Sequence, residues 1–177
     1  SICPGKRWSL CPEIRWSLSS GNWWSRYSES PTNAVGGDKV GIKLSPFHPY
    51  GDILFDNPAD TFTYLIGELN NLDFAYVELM KRSPMFPVPH YPTDDEIEFF
   101  GKQVKHALIA NSGYDKVSAD AELKKGIAKV ISFGTLFLAN PDLPQRFENN
   151  ASLNQPDRAT MFGGGAQGYI DYPFLNA

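Results

Sequence analysis

From Lys39 onward, short apolar runs alternate with stretches in which apolar residues recur at helical spacing. Lys39–Leu44 (KVGIKL) reads as a short apolar strand, ended by Ser45-Pro46. Asn57-Pro58 then offers an N-cap followed by a proline at the first helical position. Behind it, Phe62, Leu65, Ile66 and Leu69 fall at i, i+3, i+4 and i+7, the stripe of a helix that covers a sheet. Phe74–Met80 is the next strand. Thr93 and Glu96 stand at capping-box spacing, ahead of a helix whose buried face is Ile97, Phe100 and Val104. Leu108–Ala110 reads as a strand, Lys116–Lys125 as a helix closed by Gly126, and Lys129–Phe133 as a strand. Another helix is predicted from Pro141 onward.

Strands separated by helices argue for parallel βαβ units, an α/β class whose strands are mostly buried on both faces. About four such units make half of an eight-stranded barrel or a small open sheet, and the pattern does not choose between them. Before Pro31 the periodicity fails. All four tryptophans (Trp8, Trp16, Trp23, Trp24) and both cysteines fall there, and RWSL occurs twice. Tryptophan clustered without amphipathic order has no evident core to join. Residues 1–36 therefore read as an irregular Trp-rich arm, or as a stretch outside the native coding frame, and 37–177 as the folded region.

The chain's 177 residues suffice for one domain with a sizeable core. Hydrophobic residues make up 42% and charged residues 20%, an ordinary globular balance. A net charge of −4 weighs against nucleic-acid binding, which needs a basic face to neutralise phosphates. No apolar run approaches the roughly 20 residues that span a bilayer, and no leader pattern is visible. Cys3 and Cys11 lack a CxxC spacing, and His48, His90 and His106 are not spaced as metal ligands. The expectation is a reduced, cytoplasmic protein with no metal site and no membrane or nucleic-acid partner.

Parallel α/β folds bind ligands at the C-terminal ends of their strands. Asn111-Ser112-Gly113 follows one predicted strand and Gly134-Thr135 the next, and both are small sequences that let backbone N–H groups approach a ligand. As a pair they match the phosphate site often built after the last two strands of a barrel; singly, each reads equally as a plain turn. Lys43 stands inside an apolar strand, so its ammonium must face an anion or water. Phe86 and Tyr91, in a proline-rich loop, offer pocket walls. Asp94, Asp95, Glu96 and Glu98 crowd a helix start, where negative charge suits the helix dipole. The glycine loops alone are equally compatible with a phosphate-binding barrel enzyme of unrelated chemistry, such as a lyase.

Four segments carry a more specific resemblance: VGIKLSPF at Val40–Phe47, LIANSGYD at Leu108–Asp115, FGTLFLANPDLPQRF at Phe133–Phe147 and LNQPDRATMFGGGAQGYIDYP at Leu153–Pro173. In order and spacing they resemble the last four strands and tail of the old yellow enzyme family, over about three-quarters of the chain. The resemblance implies the C-terminal half of a (β/α)8 TIM barrel that holds FMN at its C-terminal mouth. It implies reduction of the flavin by NAD(P)H and reduction of the C=C bond of an α,β-unsaturated carbonyl compound, a small-molecule enone. Lys43 takes the place of an arginine beside flavin N1, where a cation stabilises the charge of reduced flavin. Lysine keeps that charge without the bidentate fork. Ser112, Gly113, Gly134 and Thr135 fall on the phosphate loops, with Thr135 in place of a usual arginine. Tyr50 and Phe162 fall on the substrate pocket, Phe162 replacing a frequent tyrosine. The donors for the substrate carbonyl and the tyrosine proton donor belong, by the same resemblance, to four βα units that have no counterpart before Lys39, so no catalytic residue is assigned here. The alternative is an inactive half-barrel that binds flavin weakly or pairs with another half-barrel through its exposed edges.

Overall fold

The computed structural model describes residues 31–47, 57–82, 94–161, 163 and 165–175. The arm before residue 31, and with it Cys3, Cys11 and the tryptophans, lies outside the described residues, as do His48, Tyr50, Phe86, His90, Tyr91, Thr93 and Phe162. Residues 31–35 are helical, and a 3-10 turn at Gly37–Lys39 leads into the first strand.

Four parallel strands follow in sequence order, with helices between them: β1 (Gly41–Leu44), α1 (Pro58–Leu69), β2 (Tyr76–Met80), α2 (Glu96–Gly101), β3 (Ala107–Asn111), α3 (Lys116–Lys124) and β4 (Val130–Ser132). The helices α4 (Thr135–Ala139) and α5 (Leu143–Glu148) close the series. The sheet order is β1-β2-β3-β4, and every pairing is parallel. Among the described residues β1 and β4 each pair on one side only, so the sheet is open.

The predicted stripe of α1 is the buried one: Phe62, Leu65, Ile66 and Leu69 are all in the core. Asn57 caps that helix by accepting from Asp60 N–H at 3.2 Å, and Pro58 occupies its first turn. The cap of α2 differs from the expected capping box. Asp95 is the N-cap, accepting from Glu98 N–H at 2.8 Å. A carboxylate one residue before the helix satisfies the orphan donors directly, and Glu96 instead turns inward and is buried. Val104 falls beyond the end of α2 but still packs, half-buried, against the core. Gly126, in the left-handed region at φ 78°, ends the third helix as expected.

Each strand places alternate residues on opposite faces. Leu44, Val77, Leu79, Leu108 and Ala110 point to the helices and are buried with Phe47, Ile97 and Phe100. Phe100 is fully enclosed, with its ring centroid 5.7 Å from Phe47 and 6.4 Å from Phe62. The alternate set faces away from the helices: Gly41 and Lys43, then Tyr76, Glu78 and Met80, then Ile109 and Asn111, then Val130 and Ser132. In a closed barrel this face is the interior, where side chains stack in rows. Here Tyr76 and Val130 remain exposed on it.

Candidate functional site

Four polar side chains, one from each strand, form a closed ring near the C-terminal end of the inner face. Lys43 Nζ lies 3.1 Å from Glu78 Oε1 and donates to Asn111 Oδ1 at 2.9 Å. Asn111 Nδ2 donates to Ser132 Oγ at 2.7 Å and to Ser132 O at 3.2 Å. Ser132 Oγ donates in turn to Glu78 Oε1 at 2.9 Å. The register explains the meeting: Lys43 pairs with Glu78, and Asn111 pairs with Ser132, on adjacent rows of one face. Asn111 meets the donor Lys43 through Oδ1 and the acceptor Ser132 O through Nδ2, so the orientation of its amide follows from its neighbours.

Lys43 thus meets both expectations for a cation in an apolar strand: it has an anion beside it, and its side chain is 48% exposed. An ammonium has three donors. Two are directed at Glu78 and Asn111, which leaves one for a ligand above the sheet. Glu78 was not singled out from the sequence, although its place midway between the inward Tyr76 and Met80 of YVELM puts a carboxylate on the inner face. Asn111, read as a loop residue, is the last residue of β3.

The two glycine-bearing loops leave neighbouring strand ends side by side. Ser112 and Gly113 both adopt left-handed backbone, at φ 84° and 67°, so successive residues turn the chain sharply after β3. Among the described residues, leaving out its chain neighbours, the heavy atom within 4 Å of a Cβ built at Gly113 is Lys81 Cε, at 3.7 Å. Gly134 caps α4, and among the described residues nothing outside its chain neighbours lies within 4 Å of where a side chain would stand. Thr135, expected in the loop after β4, instead begins the short helix α4. Backbone at both loops is therefore open to close approach by an anion such as a phosphate.

A second charged cluster lies on the helix side of the same strand ends. Lys81 Nζ sits 3.8 Å from the centroid of the Tyr114 ring, and Tyr114 Oη donates to buried Glu122 at 3.2 Å. Lys125 bridges Glu122, at 3.1 Å, and Asp95, at 2.5 Å. Burial lowers the Lys81 ammonium below its ordinary range, against the pull of Glu122, Glu96 and Asp95. Burial and the Glu122 charge raise the Tyr114 phenol far above its ordinary value, so it stays neutral. Arg82 Nε lies 3.2 Å from Glu96 Oε1, within ion-pair range but out of line for a hydrogen bond. Burial is the first reason the Glu96 carboxyl is raised. These groups anchor α2 and α3 to the sheet. His106, at the opposite end, bonds to Leu69 O at 3.2 Å and meets Phe74 edge-on.

The family model for NADH:flavin oxidoreductase / NADH oxidase matches residues 28–154. The chain belongs to that family. Among curated relatives, a 12-oxophytodienoate reductase-like protein of Solanum lycopersicum is 40% identical over 148 residues. That alignment spans 83% of this chain and 39% of the relative. Putative 12-oxophytodienoate reductase 11 of Oryza sativa subsp. japonica is 34% identical over 148 residues, 83% of this chain and 40% of the relative. Among solved structures, the old yellow enzyme from Trypanosoma cruzi superposes with a TM-score of 0.76 at 29% identity, over 84% of this chain and 38% of that one. Morphinone reductase superposes with a TM-score of 0.77 at 32% identity, over 97% and 44%. The chain thus spans about two-fifths of its relatives' length. Its four parallel strands, in one open α/β sheet, match part of the old yellow enzyme structures.

Proposed function

We propose that this chain supplies the pyrimidine-side cation and the phosphate loops of an FMN site, in a protein that uses NAD(P)H to reduce the C=C bond of α,β-unsaturated carbonyl compounds. The observation that carries the reading is the Lys43 ammonium, held in the four-strand ring with one donor to spare and flanked by two loops open to a phosphate. Family membership supplies the flavin, and a relative named for an enone substrate supplies the substrate class.

The donor set fits FMN. Lys43 would hold the electron-rich edge of the ring system, while Ser112, Gly113, Gly134 and Thr135 would hold the phosphate through backbone N–H groups and two hydroxyls. FMN, when bound, supplies hydride transfer between nicotinamide and alkene. Lys43 would add a positive charge beside the flavin's electron-rich edge, with little reorganisation because Glu78 and Asn111 already orient it. Tyr50 and Phe162 remain our proposal for pocket walls. No described residue is assigned as a proton donor. Titration of FMN into the 177-residue chain, followed by fluorescence quenching, should saturate. An absence of saturable binding in the folded chain overturns the reading.

A second reading is favoured by the two open edges and the exposed Tyr76 and Val130: the isolated half-barrel pairs with a second copy, β4 beside the partner's β1. Sedimentation of the chain across a dilution series tests it. A monomer at all concentrations counts against pairing.

A further inference from the structure

We infer that Glu78 is a positioning residue that aims Lys43 at its ligand and offsets the lysine's charge, so that the bound flavin is held at a lower reduction potential than an unpaired cation would give. The inference rests on the FMN reading. Its structural basis is independent of any ligand. Glu78 Oε1 receives both the Lys43 ammonium, at 3.1 Å, and the Ser132 hydroxyl, at 2.9 Å. Only 18% of the Glu78 side chain is exposed, against 48% for Lys43. A half-sequestered carboxylate is screened less than a surface one, so its charge is felt by the ammonium and by anything the ammonium touches.

The ring also fixes direction. Asn111 takes a second donor of Lys43, and the same amide grips Ser132 on the far side. Carboxylate and amide therefore hold the ammonium from the sheet, with the Ser132 hydroxyl bridging the two, and its remaining donor points away from them. A carboxylate within the ring makes the net charge of the four side chains zero. Removing that charge leaves one positive unit beside the ligand.

Two isosteric tests separate charge from shape. Glu78→Gln keeps the length and one acceptor for Ser132 but removes the charge. Glu78→Asp keeps the charge on a shorter stem. The readout is the ratio of reduced-FMN to oxidised-FMN affinity, which unfolded material does not alter because it binds neither form. Glu78→Gln should raise that ratio at least about tenfold, the effect of removing one charge about 12 Å from the flavin at an effective dielectric constant of about 20. Tenfold corresponds to a potential raised by about 30 mV for a two-electron couple. Glu78→Asp should stay within about twofold of the parent chain, well under the 1.4 kcal/mol that makes a factor of ten.

An unchanged ratio in Glu78→Gln overturns the proposal while leaving the FMN reading intact. Equal shifts in both variants overturn it as well, because shape rather than charge would then be at work. Loss of all binding together with loss of the far-UV dichroism assigns Glu78 to the fold and overturns it too. If the parent chain binds no FMN when folded, the FMN reading fails first and this inference with it.

Discussion

Arg146 and Asp142, one helical turn apart, bond at 2.6 Å with no more than 6% of either side chain exposed. Around that pair the C-terminal tail is tied down. Arg146 Nη1 donates to Ser152 O at 2.7 Å and Nη2 to Pro173 O at 2.8 Å, while Asp142 accepts from Leu175 N–H at 2.7 Å. Burial pushes the Asp142 carboxyl up, and the Arg146 and Leu175 bonds outweigh it, holding the group below its ordinary value. The NPDLPQR segment, so specific as sequence, thus clamps the chain at Ser152, Pro173 and Leu175, and its Asn140 accepts from Asn154 N–H of LNQPD at 2.7 Å. Arg146→Met should release the tail and strand a buried carboxylate. We expect a melting temperature lower by roughly 10 °C and faster proteolysis of 152–175. An unchanged digestion pattern would remove the clamp from the account.

Gly41 pairs with Tyr76 across β1 and β2, and a Cβ at Gly41 would overlap the Tyr76 ring. Gly41→Ala should therefore destabilise the chain by about 1–3 kcal/mol. Adding Tyr76→Ala removes the overlap, so the double variant should be more stable than the sum of the single changes predicts. Additive urea midpoints would show that the ring moves aside freely.

Lys43→Met should weaken FMN binding by about tenfold to a hundredfold, the range for a lost charge-assisted hydrogen bond of about 1.5–3 kcal/mol. Lys43→Arg keeps the charge and should lose less. Isothermal titration of the three chains gives the ordering, and equal affinities would place the flavin away from Lys43.

Gly134→Val separates binding from folding, because among the described residues nothing beyond the chain neighbours lies within 4 Å of the new Cβ. The melting temperature should move little, while FMN affinity should fall at least about tenfold if backbone at Gly134 meets the phosphate. A matched fall in both, or in neither, would place the phosphate elsewhere.

Asp115 caps α3 by accepting from Ser118 N–H at 2.8 Å, and the Ser118 hydroxyl completes a reciprocal capping box. The Ser118 side-chain bond leads in holding the Asp115 carboxyl below its ordinary 3.8. A depressed carboxylate stabilises the fold at pH values above the unfolded-state value and loses that contribution as pH falls through the folded-state one. Asp115→Ala should cost about 1 kcal/mol at neutral pH. The gap from the parent chain should begin to close near pH 3.8 and keep closing below it. A gap independent of pH would mean that the cap acts without its charge.

What the sequence determined by itself is local. The i, i+3, i+4, i+7 stripe of α1, the Asn57-Pro58 start and the Gly126 stop are each set by neighbours within a turn, and all were legible. So was the parallel class, because strands joined through helices leave little other choice. The cap of α2 was misread as Thr93 because Asp95 offers the same chemistry two residues on, and which one the chain uses depends on how α2 meets the sheet. The helix Thr135–Ala139 has no counterpart in the sequence reading, which gives Gly134-Thr135 as a loop, because five residues are too few to show a period. The site lies furthest from sequence reasoning. Lys43, Glu78, Asn111 and Ser132 come from four strands, and strand parity says only which face each takes. Register and strand order, fixed by packing against α1, α2 and α3, decide that their side chains meet in one ring. An isolated polar residue in an apolar strand is a cost in the sequence and becomes a site only when the sheet brings its partners alongside.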